Sequence, residues 1–133
     1  MSKRKGIAAE RELLHKFWKI GDCVALRAPA SGAMKYPCPD LLVGNAKRRL
    51  AIECKVNKGT RQYITKEQIE HLEQFSSIFA AEAWVAIKFD DWYFIPKENL
   101  DMTQKHFVIS LERAKLLGFS FEEVTQHLRS ELA

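Results

Sequence analysis

The sequence predicts an α/β protein in which a mixed central β-sheet is flanked by helices. Three observations predict it: an amphipathic helical pattern near the N-terminus, two capping-box signals farther along, and several short β-branched and aromatic runs between them. The predicted order is helix, three strands, helix, three strands, helix. We expect one domain over residues 1–133, since this length buries a sizeable core.

The N-terminal half supplies the first helix and three strands. Apolar residues recur at three- and four-residue steps over residues 5–19, and Gly21 is a stop signal. Residues 23–28 predict a strand, and the proline-bounded segment 29–37 predicts a loop. The runs "DLLVG" and "RLAIECKV" predict two strands joined by a turn around residues 45–47.

The C-terminal half begins with a helix. Thr65 has capping-box spacing to Gln68, which predicts a helix that ends near residues 79–80. The runs "AWVAIKF", "WYFI" and "KHFVIS" predict strands. The aromatic residues of "WYFI" pack in the core, form a dimer contact or stack on bases. A second capping box, from Ser120 to Glu123, predicts a short C-terminal helix.

Composition narrows the possible functions. The net charge of +4 and the pI near 9.0 permit a polyanionic partner without requiring one. No apolar run approaches the roughly 18 residues of a membrane span, and the N-terminus lacks a signal-peptide pattern, so we expect a cytoplasmic protein with no membrane partner. There is no glycine-rich phosphate loop, and a nucleotide cofactor is not expected.

Charged residues interrupt the most core-like part of the sequence. Strand residues alternate between faces, so Glu53 and Lys55 share one face of "RLAIECKV". If the two strands pair as a hairpin, Asp40 lies beside Glu53 near its open end. Adjacent carboxylates repel unless a cation lies between them, and oxygen ligands suit Mg²⁺ or Mn²⁺.

A simpler interpretation is that Glu53 and Lys55 form a salt bridge on a solvated strand face while Asp40 caps a turn. The spacing favours chemistry, because Pro39-Asp40, twelve residues, and Glu53-x-Lys55 match the PD-(D/E)xK nuclease signature. On a helical wheel, Glu10 falls within the apolar stripe of the first helix, or at its edge if the stripe is narrow. A carboxylate buried there alone costs on the order of several kcal/mol, so it should reach a partner or a metal.

Four segments in the same order, "GIAAERELLHKFW", "ALRAPASG", "PDLLVGN" and "LAIECKV", resemble the archaeal Holliday junction resolvases, which are small homodimeric enzymes of the PD-(D/E)xK superfamily. The resemblance implies a restriction-endonuclease-like nuclease core. It also implies that Glu10, Asp40 and Glu53 bind Mg²⁺, with Mn²⁺ as a substitute, and that Lys55 stands beside the attacking water. Ser31 is implied as a further catalytic residue in the loop next to the site.

The resemblance further implies that Arg11 and Arg27 lie near the scissile phosphates. The basic clusters add further DNA-binding candidates, although the N-terminal cluster is equally typical of a solvated chain end; these candidates are Arg4, Lys5, Lys58 and Arg61. Gln68 is either a helix cap or a supporting residue of the active site.

Symmetric cutting of a junction requires two active sites related by a two-fold axis. Phe75 and Phe79 lie one turn apart at the margin of the second helix's apolar stripe, where they contact a second copy or complete the monomer core. The predicted activity is that of a crossover junction endodeoxyribonuclease that leaves 5′-phosphate and 3′-hydroxyl ends. The alternatives are a related nuclease acting on nicked, branched or duplex DNA, and a non-catalytic nucleic-acid-binding module.

Overall fold

The computed structural model describes residues 3–28 and 35–128, beginning with a long amphipathic helix, α1 (Lys3–Ile20). Its buried side chains are Ala9, Leu13 and Phe17, whereas Trp18 is about half exposed. The Trp18 indole stays at the surface because its Nε1 donates to the carbonyl of Ala25, at 3.0 Å. The helix was predicted, but its buried stripe is not the one that the spacing of Ile7, Arg11, Leu14 and Trp18 suggested, because Arg11 and Trp18 are exposed.

Five strands form the central sheet, which is mixed, as predicted. They are β1 (Val24–Arg27), β2 (Leu41–Gly44), β3 (Arg49–Val56), β5 (Glu82–Lys88) and β6 (Trp92–Ile95), in the spatial order β1-β2-β3-β5-β6. Strands β3 and β5 are parallel, and the other neighbours are antiparallel. The central position of β3 buries both of its faces, which accounts for its apolar run.

The structure also contains a second, smaller sheet, whereas the sequence predicted a single mixed sheet. This second sheet contains β4 (Arg61–Thr65), β7 (Asp101–Met102) and β8 (His106–Ser110), in the order β4-β8-β7. The run "KHFVIS" was predicted as a strand, but its partners β4 and β7 were not. Residues 61–65 bury only Ile64 and lack the apolar alternation on which strand prediction depends.

Capping residues define the later helices. Helix α2 (Lys66–Phe79) starts with the predicted capping box: Thr65 Oγ1 accepts from the Gln68 backbone, and Gln68 Oε1 accepts from the Thr65 backbone, both at 3.1 Å. Gln68 is therefore a helix cap in this structure. Helix α4 (Phe121–Val124) has the second predicted capping box, whereas α3 (Leu111–Leu117) was not predicted.

Two apolar clusters sandwich the central sheet. Leu50 and Ile52 of β3 pack with α1 and α4, and Ala51 packs with α2 on the opposite face. Trp92 and Phe94 are buried in the first cluster, which makes core packing their role. Beyond Ile52 the strand changes from apolar to charged, and the candidate site begins there.

A charged contact fixes the turn between β2 and β3. Arg48 donates twice to the Glu82 carboxylate, at 2.7 and 2.8 Å, and once to the carbonyl of Val124, at 2.9 Å. This fork holds the hairpin against β5 and α4. Across the described ranges, no helix combines the length and apolarity that crossing a membrane requires.

Candidate active site

The β2–β3 hairpin brings Asp40 to the polar end of β3, as the sequence predicted. Leu41 pairs with Ile52, and the backbone N–H of Asp40 also donates to the Ile52 carbonyl, at 3.0 Å. Two residues of one strand thus face a single residue of the other, which is the arrangement of a β-bulge. The bulge turns the Asp40 side chain toward the end of β3.

The Asp40 carboxylate is part of the sheet's hydrogen bonding. It is only 8% exposed, and its Oδ2 accepts from the backbone N–H of Cys54, at 2.8 Å. Asp40 also accepts through its carbonyl from the Ala28 backbone, at 2.9 Å, so it links the first three strands. These contacts fix the position of one carboxylate oxygen.

Glu53 is the most strongly perturbed acid at this site. Burial and the charge of Asp40, together with a hydrogen bond between the two side chains, raise the pKa of Glu53 to about 8, and Lys55 only partly offsets them. At neutral pH Glu53 therefore keeps its proton, and its carboxyl group is hydrogen-bonded to Asp40. The proton stays because two adjacent negative charges are unfavourable in this buried site. A metal cation compensates the same charge and can replace the proton.

Glu10 supplies a third carboxylate from α1. Its Oε1 accepts from Arg27 Nη1 of β1, at 3.2 Å, and the two side chains are only 17% and 15% exposed. Burial and the nearby charge of Asp40 raise the pKa of Glu10, while Arg27 acts in the opposite direction. The expectation that Glu10 reaches a partner is met by Arg27, and among the described residues the three carboxylates do not form one metal-binding group.

This separation affects how a metal could bind. Within residues 3–28 and 35–128, no three His, Cys, Asp or Glu side chains stand together as a preformed metal cage. The donor set nonetheless fits Mg²⁺, which typically takes one or two carboxylates and completes its shell with water and substrate phosphate. Asp40 and Glu53 are such a pair, and Glu10 is close enough for its charge to affect Glu53.

The predicted DNA-binding residues fall into separate groups. Lys5 and Lys58 line one open cleft of about 490 Å³ together with Lys55, the predicted catalytic lysine. Arg61 lines another cleft, beside Lys115. Arg4 and Arg11 are exposed on α1. Ser31, predicted as a catalytic residue, lies outside the described part of the chain.

The cleft also contains polar residues that the sequence did not single out. Asn57 and Gln62 line it, and their side chains bond to each other at 3.0 Å. The pattern "VNKGT", a turn signal directly after the Glu-x-Lys motif, was the only available indication of a built structure there.

Phe75 and Phe79 differ in burial. Phe75 packs against the α2 side of the core, whereas Phe79 is 47% exposed, and their ring centroids are 5.5 Å apart. Phe79 joins Val24, Leu26 and Leu42 in lining an apolar groove of about 280 Å³. Val24 and Leu26 were missed as surface residues, although alternation in "CVALRA" places them on one face.

The chain is similar to proteins of one family, both in sequence and in fold. A family model described as archaeal Holliday junction resolvase (Hjc) matches residues 1–132. The crossover junction endodeoxyribonuclease Hjc of Archaeoglobus fulgidus is 39% identical over 91% of this chain and 95% of its own length. The Hjc protein of Methanocaldococcus jannaschii is 38% identical over 91% and 86%, respectively. The solved structure of the A. fulgidus Hjc, a Holliday junction resolvase, superposes with a TM-score of 0.83 at 36% identity, covering 91% of this chain and 98% of that one.

Proposed function

The chain belongs to the archaeal Holliday junction resolvase family, and we propose that it cuts four-way DNA junctions at a metal site formed by Glu10, Asp40 and Glu53, with Lys55 beside it. The fold is restriction-endonuclease-like, and the enzyme is a crossover junction endodeoxyribonuclease. The observation that carries the assignment of the site is the hydrogen-bonded pair of carboxyl groups, Asp40 and Glu53, at the end of β3, where the Asp40 carboxylate is buried and accepts from the Cys54 backbone.

Mg²⁺ is the ion we propose, with Mn²⁺ as a substitute, because the donors are carboxylate oxygens. When bound, the metal polarises the scissile phosphate and lowers the pKa of the water that attacks it. Asp40 and Glu53 would hold the ion through their carboxylate oxygens, and Glu53 would release its proton to solvent when the ion binds. Glu10 contributes directly or through water, depending on whether it leaves Arg27.

The cationic side chains stabilise the charge that builds on the phosphate. Lys55 lies two residues beyond Glu53 on β3, so its ammonium shares the face of the two acids. We propose that Arg27, which pairs with Glu10, and Arg11, which is exposed on α1, contact the same phosphate group. Attack in line with the 3′-oxygen breaks the P–O3′ bond, and the departing oxygen takes a proton, which leaves 5′-phosphate and 3′-hydroxyl ends.

We further propose that two copies associate through the apolar groove beside Phe79. The groove lies between the edge strand β1, the neighbouring β2 and the end of α2, and Val24 and Leu26 are each more than half exposed. Exposed apolar surface of this kind favours a partner. A second copy is the partner that the reaction requires, because two symmetric cuts need two sites. Because its proposed substrate is chromosomal DNA, we propose that the enzyme acts in the cytoplasm, at the nucleoid.

The test uses a labelled four-way junction and a linear duplex of the same sequence, each incubated with Mg²⁺ or with EDTA. The wild-type protein is compared with Asp40→Asn and with Glu98→Gln, which removes an exposed carboxylate from the 3₁₀ turn Lys97–Asn99. We expect paired nicks in the junction only, abolished by EDTA and by Asp40→Asn and retained in Glu98→Gln.

Other outcomes would identify other functions. Equal cutting of the linear duplex would indicate a less selective nuclease of the same superfamily. Tight junction binding with no cutting in Mg²⁺ or Mn²⁺ would indicate a binding module. Retained cutting in Asp40→Asn would refute the proposed metal site.

A further inference from the structure

A second cationic site adjoins the proposed active site. Its cleft is bordered by Lys5, from the first turn of α1, and by Lys58, from the turn that follows β3. Lys55, which belongs to the proposed catalytic group, also lines the cleft, so the two sites are continuous. The volume of about 490 Å³ exceeds that of a single ion and suits a piece of sugar–phosphate backbone.

The floor of the cleft is held in place by hydrogen bonds. Asn57 Nδ2 donates to the Arg61 carbonyl and to Gln62 Oε1, at 2.8 and 3.0 Å, and Asn57 Oδ1 accepts from the Gly59 backbone, at 2.7 Å. The Asn57 backbone donates to Lys88 of β5, at 2.9 Å. The turn that carries Lys58 is thus anchored, which lowers the entropic cost of holding a ligand there.

The charge distribution around the cleft favours an anion. The first turn of α1 contains basic residues and no acidic one, the opposite of what the helix dipole favours. Lys58 lies close enough to Lys5 to lower the pKa of Lys5, which places two ammonium groups at the same opening. An anion between them would relieve their repulsion and interact with the helix terminus as well.

We propose that Lys5 and Lys58 jointly bind one non-scissile phosphate of the strand being cut and so position the scissile phosphate beside Lys55. This inference rests on the proposed function. Lys58 follows Lys55 by three residues, at most about 10 Å along an extended chain, which is within the reach of a neighbouring phosphate of the same strand. Contacts of this type set the register of a nucleic acid without reading its sequence.

The first test measures junction binding by fluorescence anisotropy in EDTA, where no cutting occurs, between 50 and 200 mM salt. The proteins are wild type, Lys5→Gln, Lys58→Gln, the double variant, and Lys19→Gln, a matched control about 21 Å farther along α1. One shared phosphate predicts that the double variant reduces the slope of log K against log salt by about 0.9, and each single variant by less.

Between 50 and 200 mM salt, the factor by which junction affinity falls should therefore be about 3.5-fold smaller for the double variant than for the wild type. A reduction of about 1.8 would show that each lysine neutralises its own phosphate, and no reduction would show that neither contacts DNA. Either result overturns the proposal, and so does an equal effect of Lys19→Gln.

The second test places one neutral methylphosphonate linkage at each position around the cut site. At one flanking position we expect the neutral linkage to slow cutting by the wild type and not by the double variant, since the contact is already lost. If the wild type cuts the unmodified junction but, at every position, the rate losses from the neutral linkage and from the double variant multiply, the shared-phosphate site is refuted. Failure of the wild type to cut that junction would instead refute the proposed function.

Discussion

Replacing Glu53 with Gln should stabilise the metal-free protein while abolishing its cutting activity. Burial and Asp40 raise the pKa of Glu53 from the ordinary 4.5 to about 8, so the folded protein binds this proton more tightly than the unfolded chain does. Stability conferred by the proton is fully present below about pH 4.5 and is lost as pH rises through the folded-state pKa. Gln mimics the protonated acid at every pH and avoids the loss.

The size of the effect follows from the same shift. Each pH unit between the two pKa values changes the free energy of unfolding by about 1.4 kcal/mol. At pH 7, the Glu53→Gln variant should therefore be more stable than the wild type by about 3 kcal/mol, and at pH 5 by less than about 1 kcal/mol. The difference should level off above pH 8, where the wild-type acid is ionised in both states.

Urea denaturation in EDTA at pH 5, 7 and 8 measures this difference. Glu98→Gln is the matched control, because it removes an exposed carboxylate and should change stability by less than about 0.5 kcal/mol. A wild type that is more stable than Glu53→Gln at pH 7, or a difference independent of pH, would show that Glu53 is ionised in the fold and held by Lys55. The reasoning about the acid pair would then be wrong.

Three further outcomes are expected. Calorimetric titration of the wild type with Mg²⁺ at pH 7 should release close to one proton, which comes from Glu53. The affinity for Mg²⁺ should rise by up to tenfold per pH unit toward pH 8. The same proton release at pH 9 would show that the proton does not come from Glu53. Arg48→Met should lower the free energy of unfolding by about 1–3 kcal/mol, measured in urea, while cutting per folded molecule is unchanged. Phe79→Glu should yield monomers in sedimentation at micromolar concentration and convert paired nicks to single ones; a wild-type monomer would refute the groove as a dimer contact.

Local patterns predicted the parts of the site that depend on neighbours in the sequence. Alternation along a strand placed Glu53 and Lys55 on one face, and a single short turn made the pairing with Asp40 predictable. Helical periodicity placed Glu10 in a buried stripe. In each case one periodic element and one adjacent connection were sufficient.

Sequence patterns did not predict the contacts that form only when separate elements pack together. The bond between Glu10 and Arg27 joins α1 to β1 through packing that no spacing encodes. The bulge at Asp40 shifts the register by one residue, and nothing in "PDLLVG" signals it. The cleft floor escaped prediction because Asn57 and Gln62 acquire their roles only when the turn after β3 brings the start of β4 back to Asn57.

The hydrogen bond from the Cys54 backbone to Asp40 would link the proposed metal site to the folding of the sheet. Asp40 Oδ2 accepts the Cys54 N–H at a position where a backbone carbonyl would accept it in a regular sheet, and the same carboxylate would bind the metal. An amide at position 40 can keep this bond and lose the charge, whereas alanine would leave a partly buried N–H without its acceptor. Few substitutions at position 40 would therefore abolish activity without destabilising the fold. Most would remove both the hydrogen bond to the sheet and the proposed metal ligand.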